Sequence, residues 1–206
     1  MNILYSFIIG YILGSFPTAY IILKRHKNID IRNAGSGNVG AMNSFEVSKS
    51  KRIAAAVFAV DLLKGLLSVA LIKIFIGNEF VFVMAALNAA VLAHCFSPWI
   101  NFKGGRGLAT AGGGSLIISI PVLLIWLSVW ALTYIIPRNI HLSNISATLM
   151  TAILSFVPFV SMNHLSSPSA STNMEYGFMV GTLMLIILIK HYDPMKKLIL
   201  NRINKN

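Results

Sequence analysis

The chain has 206 residues, of which 56% are hydrophobic and 11% charged, with a mean hydropathy of +0.73. Ordinary soluble domains carry about a quarter of their residues as charges, so polar side chains are too few here to cover a water-soluble ball, and the net charge of +11 does not mark a nucleic-acid binder. The only cysteine, Cys95, excludes a disulfide scaffold, which leaves an integral membrane protein.

A transmembrane helix needs about 20 mostly apolar residues to cross a hydrocarbon core of about 30 Å. In chain order the candidate spans are residues 3–23, 53–76, 80–100, 108–136, 145–161 and 177–190. The first is too long, and too weakly basic at its start, for a cleaved signal peptide. The stretch 108–136 would be about 44 Å long as one helix, too long for one upright crossing and too short for two complete ones.

Charge chooses between the two. Of the 17 lysines and arginines, 15 fall in residues 24–52, 103–106, 138 and 190–206, whereas the connections around Asn78 and Glu79 and over 163–175 carry none. One crossing by 108–136 would put Arg138 and the basic tail outside, against the positive-inside rule. Two short crossings, with breaks near 112–115 and 119–121, keep every basic segment cytoplasmic. The expected architecture is therefore an all-α integral membrane protein, a single polytopic domain over 1–206. It has about seven transmembrane helices, some short, with the N-terminus outside and the C-terminus cytoplasmic. Cytoplasmic loops fall at about 24–52, 101–107 and 137–143, with a tail at 190–206. Six crossings is the competing count.

The other two cations, Lys64 and Lys73, lie inside the second span. Asp61 and Lys64 are three residues apart and share a helix face. Charge at mid-membrane is expensive, so the pair either locks helix packing or faces a functional cavity. Lys73, near the outer end, is expected to snorkel.

The loops carry the chemistry. Residues 28–43 place Gly35, Gly37 and Gly40 in the spelling of a dinucleotide fingerprint, but no strand precedes them as that fold requires. Glycines still let backbone N–H groups converge on an anion, and Ser36 and Asn38 add side-chain donors. A flexible connection between two helices is the plain alternative. In the second loop, Lys103 and Arg106 flank Gly104 and Gly105, and a helix opening at Gly107 would aim its dipole at the same point. That is a credible phosphate site, although not a P-loop; a basic anchor with a turn is the alternative. At the third, Lys190, His191, Tyr192 and Asp193 mark the exit of the last span, where His191 alone reads more readily as an interfacial side chain. His94 and Cys95 have too few companions for a metal site. Neither a nucleophile elbow nor a zinc-protease helix is present, and Cys95 lacks an activating partner.

Taken in order, these motifs resemble one family, the bacterial acyl-phosphate-dependent glycerol-3-phosphate acyltransferases (PlsY type). The resemblance runs through residues 14–19, 30–43, 61–65, 94–110, 146–148 and the Lys190–His191 exit. It implies a seven-helix, N-out fold in the bacterial cytoplasmic (inner) membrane, with the active site on the cytoplasmic face. It also implies transfer of a fatty acyl group from acyl phosphate to the 1-hydroxyl of sn-glycerol 3-phosphate, giving lysophosphatidic acid and inorganic phosphate without cofactor or metal. Catalytic roles fall on Ser36, Lys103 and His191. Substrate-binding roles fall on Gly35, Gly37, Asn38, Gly40, Asn43, Gly104, Gly105 and Arg106. The implied partners are the two substrates, membrane lipid and a soluble enzyme that makes acyl phosphate, with no nucleic acid. A small organic-anion transporter and a catalytically weakened scaffold homologue are the competing readings. The transporter is disfavoured because no internal repeat is visible and the cations gather at one face.

Three positions depart from the family pattern. Glu46 stands where an arginine associated with the headgroup is usual, so Glu46 turns away or Arg32 or Lys49 substitutes. Pro194 replaces an asparagine and removes a donor, and Met42 replaces a threonine.

Overall fold

The computed structural model describes residues 1–157 and 162–203, which are helical apart from their connections. The region expected as one span at 3–23 is two helices, α1 (Asn2–Ser15) and α2 (Thr18–Lys27). Proline has no N–H and pushes the residue before it out of the helical region; Phe16 is accordingly extended, with ψ 116°, and the helix restarts after Pro17. Helix α2 runs past the expected boundary and ends in Lys24, Arg25, His26 and Lys27; the lysines and the arginine are cations that favour a helix C-terminus.

The expected loop 24–52 is largely structured. A 3-10 turn at Ile31–Asn33 precedes α3 (Ala41–Ser48). The chain then enters α4 (Lys51–Phe75), whose first turn is capped by Ser50 Oγ accepting from the Ile53 N–H at 3.4 Å. Helix α5 (Phe80–Cys95) follows, with a 3-10 turn at Pro98–Ile100 completing the expected third span.

Residues 108–136 form α6 (Leu108–Ile118) and α7 (Ile120–Ile135). The break is single, at Ser119, with Pro121 in the first turn of α7, where proline is tolerated. The second expected break, at 112–115, does not occur. Glycine inside a helix costs only about 1 kcal/mol, and these glycines gain close packing: Gly113 lies against the Leu62 backbone and Gly114 against the Leu87 side chain. The stretch leaves one end of the bundle and returns to it. Arg106 Nη1, just before α6, is 3.2 Å from His141 Nδ1, whereas beside the break the Ser167 N–H donates to the Ile118 carbonyl at 2.7 Å.

Helix α8 (Ile140–Leu154) begins five residues before the expected 145 because Asn139 Oδ1 accepts from the N–H groups of His141 and Leu142, both at 3.0 Å. The expected basic loop 137–143 shrinks accordingly, and the far end of the expected span, 158–161, lies outside the described residues. Helix α9 (Asn173–Lys190) begins four residues before the expected 177, set by a reciprocal cap. Thr172 Oγ1 accepts from the Glu175 N–H at 3.0 Å, and Glu175 Oε2 accepts from the Ser171 N–H at 2.8 Å. The tail is α10 (Tyr192–Ile203), with 204–206 outside the described residues.

Helix α5 is the centre of the bundle, buried along nearly its whole length and flanked by α1, α4, α6 and α9. Small residues bring the helices together, as expected where lipid supplies no hydrophobic drive for helix association. Gly10 and Gly14 of α1 meet the backbones of Ala86 and Ala90 of α5, and Gly65 of α4 meets the Thr110 carbonyl of α6. Phe58, Ile74, Leu132, Ile153 and Leu185 point outward. Among the described residues, four stretches are long and apolar enough to cross a membrane: Asn2–Lys27, Lys51–Phe75, Phe80–Ile100 and Asn173–Lys190. Helices α6, α7 and α8 are shorter. Lys73 Nζ reaches the Ser167 carbonyl at 3.1 Å instead of extending freely into solvent.

Candidate active site

The first glycine loop is held by one side chain. Asn43, in the first turn of α3 and buried, accepts from the Ser36 N–H through Oδ1 at 3.0 Å. Its amide donates to the carbonyls of Ala34 and Asn38, both at 3.0 Å, and of Ile31 at 3.4 Å. Gly35 and Gly37 have φ of 60° and 73°, values that an L side chain rarely adopts. A Cβ on Gly35 would also collide with the Asn43 carboxamide oxygen. Gly40 caps α3. Ser36 is thereby left exposed at the tip.

Arg32, one of the two cations expected as a headgroup substitute, is paired within its own loop. It grips Asp30 with Nε and Nη2 at 2.9 and 2.7 Å and stacks on the Tyr20 ring at 4.8 Å. Those hydrogen bonds hold the Asp30 carboxyl down at about 2. Glu46 is exposed on α3 and is not among the residues lining the cavity where the loops meet; burial pulls the Arg106 guanidinium below its ordinary value, and the charge of Glu46 opposes that.

In the second loop the N–H groups of Gly104 and Gly105 donate to the carbonyls of Cys95 and His94, both at 3.1 Å. These two amides therefore hold the loop against the end of α5 and are not available to an anion. The glycines are required for closeness, since a Cβ on Gly105 would overlap the His94 imidazole. Lys103 stays exposed and Arg106 half-buried, on either side of the pinned pair. Helix α6 opens directly after Gly107, as the sequence suggests.

His191 is fully buried at the junction of α9 and α10. Its Nδ1 lies 2.8 Å from the Ile187 carbonyl; a carbonyl only accepts, so Nδ1 carries the proton and Nε2 keeps a lone pair. Nε2 has no hydrogen-bond partner among the described residues. Burial lowers the imidazole to about 4, against the pull of the Ile187 carbonyl and with a smaller push from Arg106 and His141.

The loops meet around a cavity of about 530 Å³. Ser36, Gly37, Asn38, Lys103, Gly104 and Arg106 line it, so six of the eleven candidate residues converge. Gly35, Gly40, Asn43 and Gly105 shape the loops behind it, and His191 is buried beside the lining residues Lys190 and Pro194. Lys190 adds a third cation, placed over the Phe96 ring at 4.9 Å, and Asp193 adds an anion. His141 also lines the cavity; the sequence shows no sign of this, because it joins Arg106 only through the α6–α7 hairpin.

A second cavity of about 520 Å³ is almost wholly apolar, with Phe58, Leu62, Leu108, Trp126, Trp130 and Met184 in its walls. The two indole N–H groups there are already bonded, Trp126 to Thr148 Oγ1 at 3.0 Å and Trp130 to Asn144 Oδ1 at 2.8 Å. The two linings share no residue, but they come close along the chain at the N-ends of α6 and α8. Leu108 lies two residues beyond Arg106, and Asn144 about one turn beyond His141.

The chain is an all-helical integral membrane protein with a cationic cavity at one end of its bundle and an apolar one nearby. Its lineage is specific: the chain belongs to the glycerol-3-phosphate acyltransferase family, whose sequence model matches residues 4–201. It is 33% identical to glycerol-3-phosphate acyltransferase from Prochlorococcus marinus (strain NATL2A), covering 97% of this chain and 95% of that one. Identity is 32% to the protein of that name from Ehrlichia canis (strain Jake), end to end in both chains. Two crystal structures of PlsY (YgiH), an integral membrane glycerol 3-phosphate acyltransferase, share the fold. The glycerol 3-phosphate form has a TM-score of 0.80 at 30% identity, and the lysophosphatidic acid form 0.78 at 29%. Each match covers 98% of this chain and 94% of the other.

Proposed function

We infer that the protein transfers a fatty acyl group to the 1-hydroxyl of glycerol 3-phosphate, with acyl phosphate as donor, and releases lysophosphatidic acid and inorganic phosphate. The observation that carries this reading is the nearness of the cationic and apolar cavities along α6 and α8. An acyl phosphate laid across the two has its chain among Leu108, Trp126 and Trp130, its phosphate near Lys103 and Arg106, and its carbonyl between them.

Acyl phosphate is already an activated anhydride, so no covalent nucleophile is needed. The glycerol oxygen attacks the carbonyl carbon, the bond from that carbon to the phosphate oxygen breaks, and the hydroxyl proton passes to a substrate phosphate, whose second pKa is about 6. The protein supplies position and charge. Lys103 and Arg106 neutralise the leaving phosphate, Ser36 donates to the reacting centre, and His191, buried behind the lining residues Lys190 and Pro194, orients glycerol phosphate through the wall it supports. Asn43 and the glycines keep the two loops in place. Seven crossings, with the N-terminus outside and the cavity facing the cytoplasm of a bacterial inner membrane, agree with the basic segments at the loop end. A soluble enzyme that makes acyl phosphate is the corresponding partner.

Purified protein in detergent, given acyl phosphate and glycerol 3-phosphate, should release phosphate and form lysophosphatidic acid, with acyl-CoA run alongside. Lys103→Ala should lower kcat/KM by roughly 100-fold, the scale of one lost electrostatic donor. No turnover by the parent, or near-normal turnover by Lys103→Ala, would count against the assignment.

A further inference from the structure

The ion pair buried in α4 lines neither cavity, yet it is tied to the loop that bears the cavity's cations. Asp61 and Lys64 are 3% and 6% exposed, with Lys64 Nζ 2.9 Å from Asp61 Oδ1. Lys64 Nζ also donates to the Phe16 carbonyl at 2.7 Å, at the break between α1 and α2 that Pro17 creates. Asp61 Oδ1 lies 3.7 Å from Nδ1 of His94, which is buried in the last turn of α5. The other edge of that imidazole faces Gly105, whose N–H donates to the His94 carbonyl.

We infer that Asp61, Lys64 and His94 are positioning residues that hold the second glycine loop, and with it Lys103 and Arg106, in register with the first. The two loops touch where the Val39 carbonyl approaches Gly105. Helix α2, which leads into the first loop, starts at the break that Lys64 grips. The second loop holds the same break from its own side: Ser97 Oγ donates to the Ser15 carbonyl at 2.5 Å, and Trp99 Nε1 to Ser15 Oγ at 2.9 Å. A buried ion pair is a poor source of stability, because apolar residues of equal volume pack at least as well. What it adds is direction: the ammonium donors fix one carbonyl and one carboxylate at once.

The inference rests on the cationic cavity being the phosphate site, so Lys103→Ala and Arg106→Ala are assayed beside Lys64→Met and His94→Gln. Steady-state KM is measured for glycerol 3-phosphate and for acyl phosphate on protein purified in detergent. Misplaced phosphate ligands should raise KM for at least one substrate about tenfold in both Lys64→Met and His94→Gln. The double variant should go little beyond the worse single one, since both act on the same loop. A purely structural defect reduces the active fraction, lowering apparent kcat and leaving KM unchanged; that result in both variants overturns the inference. His94→Gln keeps the ion pair and decides alone if Lys64→Met does not fold. If Lys103→Ala and Arg106→Ala leave both KM values unchanged, the cavity reading fails and the inference with it. If they raise KM while Lys64→Met and His94→Gln do not, only the inference fails.

Discussion

His191 shows how a residue's neighbourhood fixes its protonation. With burial holding the imidazole at about 4, it is neutral at pH 7, and its one proton is committed to the Ile187 carbonyl. An unfolded histidine titrates near 6.5. Between the two values the unfolded chain binds a proton that the folded chain does not. Stability from this group is therefore complete above about 6.5 and is lost as pH falls toward 4. Asparagine can keep the donor to Ile187 without titrating. His191→Asn should therefore show a flatter dependence of Tm on pH across this window than the parent, measured by thermal unfolding in detergent. Equal slopes would exclude His191 as the titrating group. Ser36, Lys103 and Arg106 were legible in the sequence because glycines beside donors and cations have a direct physical reading. Asn43 was legible as a loop residue, but its four hydrogen bonds were not, since they depend on α3 folding back beneath the loop.

The elements depart from expectation where local and tertiary effects compete. Hydropathy located the apolar stretches, but it could not see Pro17 divide the first one or the side-chain caps of α8 and α9 extend theirs. The glycines of α6 look like a hinge in sequence and are a packing surface in space. Neighbouring substitutions should separate the two readings. A Cβ on Gly112 would meet only Leu123 Cδ1, at 3.9 Å, whereas one on Gly113 would run into the Leu62 carbonyl. Gly112→Ala should be stabilising by about 0.5–1 kcal/mol, from lower unfolded-state entropy. Gly113→Ala should be destabilising by about 1–3 kcal/mol through overpacking. Both shifts are readable as Tm in detergent, and a hinge at 112–115 would instead make both substitutions similar.

Across the whole molecule, the count of crossings turns on whether residues 108–136 return to their starting side. Arg106 and His141 meeting at 3.2 Å agrees with a return. Arg138 and Asn78 then face opposite sides of the membrane. With Cys95 changed to Ala, single cysteines at those positions should react differently with an impermeant thiol reagent. Asn78→Cys should label in intact cells and Arg138→Cys only after permeabilisation. Labelling of both from outside would favour six crossings. The inference from charge needed no side-chain contact, because loop cations report topology directly. By contrast, His141 and Asp193 in the cavity wall, and the apolar cavity itself, depend on which helix ends the fold brings together.

The apolar cavity has Phe58, Leu116 and Leu127 in its rim, all of them exposed on the outer face of the bundle, while the cationic cavity is bounded by the loops. The two products of the proposed reaction therefore leave into different phases. Inorganic phosphate has only the aqueous mouth available to it. Lysophosphatidic acid keeps the acyl chain and can slip sideways into lipid without that chain crossing water. Once separated in this way, the products rarely meet again at the site. The membrane then acts as an extraction solvent that adds to the downhill drive an acyl phosphate anhydride already supplies.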